Sequence, residues 1–230
     1  MKILLVGDIH KSPYLQSIKE IQDGFDLVLI NGDFVSIQHP NETLADDNDF
    51  QEILDHFHIP VLYVPGNHDP KSRFESTDKR NIHKKWYNFN GLNIGGLGGA
   101  TGGIYKHSGI EKFEGFPYDQ QSIQTDFNQL ISTAPSSFIL LTHCGPSNTP
   151  TTDENYLLDD KERVDTGADC LYTFHLKKNG CMVHVHGHSH QCFGMTRIGT
   201  DLIVNPGALE DGRYGVLEIK EKVSVQFHQF

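Results

Sequence analysis

Long apolar runs are missing from this 230-residue sequence. Nothing approaches the roughly 18–20 consecutive apolar residues of a membrane-spanning helix, and the N-terminal run at residues 3–6, between Lys2 and Gly7-Asp8, is too short for a secretory signal. Paired thiols are missing as well: Cys144, Cys170, Cys181 and Cys192 form no CxxC pair, and a chain of this size has no need of a disulfide staple, so all four are expected to be reduced. Positive charge is scarce. Nineteen Lys and Arg against 30 Asp and Glu leave a formal net charge of -11 at pH 7, which disfavours an extended nucleic-acid footprint because neutralising many phosphates takes a basic surface. Together these absences describe a soluble, cytoplasmic chain with no membrane contact.

What is present is the composition of a folded protein, 37% hydrophobic and 21% charged, long enough for one substantial core. A single domain over residues 1–230 is expected. Short apolar runs at 3–6, 27–30, 61–64, 138–141 and 182–185 alternate with amphipathic segments, the pattern of an α/β fold. Helices are predicted over 13–23 with Ser12 as N-cap, over 46–57 with acidic residues in its first turn, over 119–131, and from a Thr166 cap to about 178, where basic residues and Gly180 suit a helix end. The last third reads as strands at 192–198, 202–204, 214–219 and 223–227. Two stretches look irregular: the glycine-rich 91–103 and the long polar 145–165. The glycines from Gly96 lack the last glycine of a dinucleotide-binding turn, and no helix follows them.

Histidine is abundant, with 14 residues, and several of these follow apolar runs. The first run leads into Gly7-Asp8-Ile9-His10, the second into Asn31-Gly32-Asp33, and the third into Gly66-Asn67-His68-Asp69. The fourth leads through Thr142 to His143, and the fifth to His186-Gly187-His188-Ser189-His190. In open α/β sheets ligands gather at the carboxyl ends of strands, so these side chains should converge on one crevice. Clustered carboxylates and buried imidazoles repel or go unpartnered without cations. Oxygen and nitrogen donors with no thiolate suit Mn2+, Fe2+ or Zn2+. The glycine before Asp8, Asp33, Asn67 and His188 is read as the residue that lets the chain turn sharply, while His184 and His186 indicate that not every histidine here is a ligand.

In order, GDIH (7–10), GDF (32–34), GNHD (66–69), TH (142–143) and GHSH (187–190) resemble the calcineurin-like metallophosphoesterase superfamily. With Asn205-Pro206-Gly207 the likeness covers nearly the whole chain, and 141–146 with 184–190 most resemble the small phosphodiesterase-like members. The resemblance implies a four-layer αββα sandwich, two mixed β-sheets face to face with helices outside. It also implies two divalent metal ions, Asp8, His10 and His190 on the first, Asn67, His143 and His188 on the second, and Asp33 bridging. The implied reaction is hydrolysis of a small phosphodiester or phosphomonoester by a metal-bridging hydroxide, with His68 assisting the leaving oxygen.

One departure concerns Ser36, which stands where many relatives carry an acid or histidine that orients the catalytic histidine. The hydroxyl supplies no negative charge, so another carboxylate such as Asp69 could serve. Lys71, Arg73 and Arg213 are weaker candidates for phosphate contact. Tyr105, His107, Tyr118 and Tyr156 are weaker candidates for stacking a base, and Cys144 is read as a packing residue. Two rival functions are a catalytically silent scaffold, as in the retromer subunit that shares the fold but has lost the catalytic histidine, and a metal-dependent repair nuclease. The retained His68 weighs against the first. The acidic balance and the lack of an obvious DNA-binding extension weigh against the second.

Overall fold

A computed structural model describes residues 1–36, 47–105, 109, 111–113, 115–154 and 164–230, with only the backbone of residues 105, 111–113 and 154. The first half of the chain runs β1 (Lys2–Val6), α1 (Leu15–Ile21), β2 (Leu27–Ile30), α2 (Asp47–Asp55) and β3 (Val61–Tyr63), then the hairpin β4 (Lys85–Phe89) and β5 (Leu92–Leu97). After the short β6 (Gly103–Tyr105) and β7 (Glu111–Phe113) come α3 (Gln120–Ile131), β8 (Phe138–Thr142), β9 (Asp153–Glu154), β10 (Val164–Asp165) and α4 (Asp169–His175). The chain closes with β11 (Cys181–Val185), β12 (Gly194–Ile198), β13 (Asp201–Asn205), β14 (Arg213–Ile219) and β15 (Val223–Gln229).

Two mixed sheets result, in the orders β15-β14-β1-β2-β3 and β12-β13-β11-β8-β5-β4, with a small sheet β7-β6-β10-β9 beside them. Within the first, β1, β2 and β3 are parallel; within the second, β13, β11, β8 and β5 are parallel. Alternation along β1 explains the layering: Ile3 and Leu5 enter the core between the sheets, while Leu4 and Val6 face the helices. The inter-sheet core is completed by Leu27, Leu29, Ile139, Leu141, Val183 and Val185. Ile18 of α1 and Phe50, Ile53 and Leu54 of α2 cover the outer face of the first sheet. Ile123, Phe127 and Leu130 of α3 and Leu171 of α4 cover that of the second. Each such side chain withdrawn from water contributes about 1.5–3 kcal/mol, and the outcome is the expected αββα sandwich.

Several local expectations need correction. Leu92–Leu97 is a strand rather than an irregular loop, paired with β4 and β8. Its glycines make room, since a Cβ on Gly95 would lie 2.6 Å from the Trp86 ring. The N-cap of α1 is Tyr14, with no side-chain cap; Ser12 accepts the Tyr14 N–H and donates to the Leu209 carbonyl. α4 is shorter than predicted and begins after Ala168, because Thr166 is engaged by the Thr152 carbonyl and by Ser189 Oγ. Asp119, read as the first helical residue, is the N-cap of α3, through a capping box with Ser122. The 145–165 stretch carries β9 and ends in β10; residues 155–163, with Tyr156, and also His107 and residue 46, lie outside the described residues.

Candidate active site

Asp8 and Asp33 follow the carboxyl ends of β1 and β2, Asn67 and His68 follow β3, His143 follows β8, and His188 and His190 follow β11. The sandwich brings all of them to one edge. Asp8, Asp33 and His143 are sealed from solvent, whereas Asn67, His68, His10 and His190 are half-buried at the mouth. Ligand-type atoms of Asp8, His10, Asp33 and His190 all lie within 4.8 Å of one another. His10 Nε2 is 3.3 Å from His190 Nε2 and 3.6 Å from Asp33 Oδ2. His190 Nε2 is 3.5 Å from Asp8 Oδ1, and His143 Nε2 is 3.4 Å from Asp33 Oδ2 and 2.8 Å from Asn67 Oδ1. Two donors about 2.1 Å from one tetrahedral ion stand about 3.4 Å apart, so the spacing among His10, His190, Asp8 and Asp33 fits a cation better than a hydrogen bond. His188 joins the group through its backbone N–H, which donates to Asp8, and through its ring, edge-on to His143 at 5.1 Å.

The electrostatics describe the same place. Burial alone would raise the pKa of Asp8 and Asp33, yet His190 beside Asp8 and His143 beside Asp33 hold both carboxyls below their ordinary range. Burial opposes protonation of His143 and His190, but Asp33 and Asp8 respectively carry both up to about 9. His188, withdrawn from solvent at its ring and facing His143, is pushed down to about 3 by desolvation and by that histidine. The two carboxylates are thus balanced by protons on two histidines, and a cation could take the place of those protons.

Neighbouring residues fix the orientation. The Asn31 carbonyl lies 2.8 Å from His143 Nδ1. A carbonyl only accepts, so Nδ1 carries the proton and Nε2 faces the cluster. Asn31, whose side chain donates to the His186 carbonyl, was not among the sequence candidates, and nothing but its place before Gly32-Asp33 points to it. Asp69 faces away from His68. It accepts from the backbone N–H of Asp33, Phe34, Val35 and Gly66, and so holds the Asp33 turn. Ser36 Oγ meets His10 Nδ1 at 3.1 Å rather than His68. His68 is located by its backbone N–H to Asp33 Oδ1, 2.8 Å, and by an edge-on ring contact with His10 at 5.3 Å.

Of the weaker candidates among the described residues, only Arg213 touches a residue of the cluster, and it does so through a backbone carbonyl. Arg73 is tied to Asp47 and lies over the Phe50 ring, and Lys71 is exposed. Arg213 contacts the His190 carbonyl at 3.4 Å, Asp211, and the face of Phe193. Tyr118 is buried against α3 with its hydroxyl on Asp126, and Cys144 packs in the core, its thiol pushed up to about 11 by burial. His184 and His186 are buried and bonded to Thr142 and Thr151.

Residues 1–192 match the family model described as calcineurin-like phosphoesterase. The chain belongs to this family. Its members are hydrolases that act on ester bonds, and the αββα sandwich is the family fold. An uncharacterized protein of Methanocaldococcus jannaschii, MJ1162, is 24% identical over 217 residues, 90% of this chain and 88% of that protein. A protein of Vesicomyosocius okutanii named "Probable cyclic nucleotide phosphodiesterase" is 25% identical over 188 residues, 79% of this chain and 69% of that one. The crystal structure of TT1561 from Thermus thermophilus has the same fold, with a TM-score of 0.66 at 19% identity, covering 98% of this chain and 97% of that one. No helix among the described residues is long and apolar enough to cross a membrane.

Proposed function

We propose that this family member is a two-metal phosphodiesterase acting on a small substrate. Asp8, His10 and His190 would hold one divalent ion, Asn67, His143 and His188 would hold a second, and Asp33 would serve both. The observation that carries the reading is the place of Asp33, whose Oδ2 stands 3.6 Å from His10 Nε2 on one side and 3.4 Å from His143 Nε2 on the other. Mn2+, Fe2+ or Zn2+ suits a donor set of carboxylate, amide and imidazole without thiolate. Such ions, when bound, would supply polarisation of a phosphoryl group and a nucleophile near neutral pH.

The remaining chemistry belongs to side chains of this chain. His68, half-buried at the mouth and tethered to Asp33 through its backbone, protonates the leaving oxygen. A diester is favoured over a monoester by charge. A monoester dianion would call for a cationic side chain, whereas Lys11, Arg73 and Arg213 are engaged with Asp49, Asp47 and Asp211, which leaves the exposed Lys71 as the basic side chain beside the 66–69 motif. The name of the Vesicomyosocius relative agrees with this preference. The test is hydrolysis of bis(p-nitrophenyl) phosphate against p-nitrophenyl phosphate by the Mn2+-loaded protein. The diester should have the higher kcat/KM; a clear monoester preference overturns the substrate assignment, and inactivity on both overturns the enzymatic reading.

A further inference from the structure

β15 is the outermost strand of its sheet: it pairs with β14 on one side and, among the described residues, with no strand on the other. Two bonds fix the direction of its backbone groups. Ile219 donates its N–H to the Met1 carbonyl, towards β1, and Phe230 donates its N–H to the Gly212 carbonyl, towards β14. Backbone groups alternate sides along a strand, so in the register of this pair Ser224, Gln226 and His228 bond β14. Val223, Val225, Phe227 and Gln229 therefore aim their N–H and C=O groups outward.

Such a row is a template for another strand, and proteins that stay monomeric usually blunt it with charge, proline, a bulge or a cover. β15 has none of these among the described residues. Its sequence, Val-Ser-Val-Gln-Phe-His-Gln, contains no Asp, Glu, Lys, Arg or Pro, in a chain whose net charge is -11. Its register with β14 is unbroken from Ile219 opposite Val223 to Arg213 opposite Gln229. Ser224, Gln226 and His228 are exposed on the outer face, while Val223, Val225 and Phe227 turn towards the core between the sheets and remain only partly buried.

We propose that this edge is where a second copy of the chain docks, β15 against β15, antiparallel across a two-fold axis. One register engages all four outward residues: Val223 opposite the second copy's Gln229 and Val225 opposite its Phe227, with the reciprocal pairs completing the ladder. Each pair exchanges two hydrogen bonds, and a slip by two residues loses a pair. Gln226 then faces its own copy at the axis, and Ser224 faces His228, so no like charges meet across the new ladder. On the inner face the second copy's Phe227 meets Val225 at the mouth of a cleft between β15 and β12. That cleft is lined by Met195, Thr196, Leu202, Val223 and Val225, and Met195 is more than half exposed. The two five-stranded sheets would join into one.

The test uses the full chain and depends on neither metal nor activity. Sedimentation equilibrium should show a monomer–dimer equilibrium. Hydrogen exchange should show the amides of Val223, Val225, Phe227 and Gln229 slowing as concentration rises, while those of Ser224, Gln226 and His228 are protected throughout. Val225→Pro removes an N–H that points outward, a change that an edge strand tolerates, and leaves the β14 ladder whole. It should weaken the dimer roughly 5- to 150-fold, the equivalent of two lost interchain hydrogen bonds, with an unchanged circular dichroism spectrum. Gln226→Lys and Gln226→Glu should each weaken it by placing like charges opposite one another at the axis, and an equimolar mixture of the two should recover it. If net charge alone governed association, Gln226→Lys would instead strengthen dimers of this acidic chain. Because the Gln226 variants alter only an exposed side chain, they decide the matter even where Val225→Pro unfolds. A wild-type protein that stays monomeric, a dimer in which other amides slow, or Gln226 variants that each dimerise as tightly as the wild type would overturn the proposal.

Discussion

Asp8, His10, Asp33 and His188 share a backbone conformation as well as a neighbourhood, with φ of 48°, 46°, 55° and 67°. Non-glycine residues adopt left-handed φ at a cost of about 1–3 kcal/mol each, so half of the left-handed non-glycine residues of the described chain sit where the site is built. Such strain persists only when the surroundings over-determine it, as the four amide donors converging on Asp69 do for Asp33. At this scale His68 separates binding from chemistry. His68→Ala should keep its metal content and lose roughly 10²- to 10⁴-fold in kcat on a diester with a poor alkoxide leaving group. The loss on a nitrophenyl diester should be much smaller, because nitrophenolate needs little protonation. Equal losses on the two substrates, measured by steady-state kinetics, would remove the general-acid role. The gathering of these residues at one edge was legible in the sequence because the strand ends gave their places. Their partners were not. Ser36 on His10, Asp69 on the Asp33 turn and Asn31 on His143 are contacts across the fold, and no local spacing encodes them.

The strands that carry the site were legible for a related reason. β1, β2, β3 and β8 are apolar on both faces because each lies between a helix layer and the opposite sheet, and so they read as hydrophobic runs, while β11 is interrupted by the buried His184. The β4–β5 hairpin was hidden by glycines that packing requires and that propensity reads as loop. The same distinction corrects the reading of the glycines before the ligands. Gly32 does need its φ of +106°, but Gly7 is there for space: a Cβ on it would lie 1.4 Å from Asn31 Oδ1. Gly7→Ala should therefore destabilise the fold by about 1–3 kcal/mol or more, the cost of overpacking, and should disturb Asn31 and with it His143. Urea denaturation checks this, and a midpoint equal to that of the wild type would show that the β1–β2 junction has more room than the structure gives it.

For the molecule as a whole, the cluster couples stability to pH and to metal. In the metal-free protein His143 and His190 are raised to about 9, above the ordinary histidine value of about 6.5. Between those pH values the folded chain binds more protons than the unfolded one, so this contribution is complete below about pH 6.5 and is lost as pH rises through about 9. His188, held down at about 3, acts only below that window. The Tm of the chelated protein should accordingly fall between pH 6.5 and 9. Mn2+ should raise the Tm at every pH in that range and remove the fall, since bound cations displace the same protons. Thermal melts with and without chelator decide it, and parallel pH profiles would count against the cluster as a cation site.

The proposed two-ion site anchored on Asp33 is tested most directly by titrating chelated protein with Mn2+ while following bound metal and bis(p-nitrophenyl) phosphate hydrolysis, for the wild type and for Asp33→Asn. The wild type should bind two ions per chain, with activity appearing as the second is taken up. Asp33→Asn should remain folded and lose most of its hydrolysis, because an amide is a poor substitute for a carboxylate serving two cations. Near-normal turnover by Asp33→Asn with two ions bound, or wild-type activity that saturates at one ion, would contradict the account.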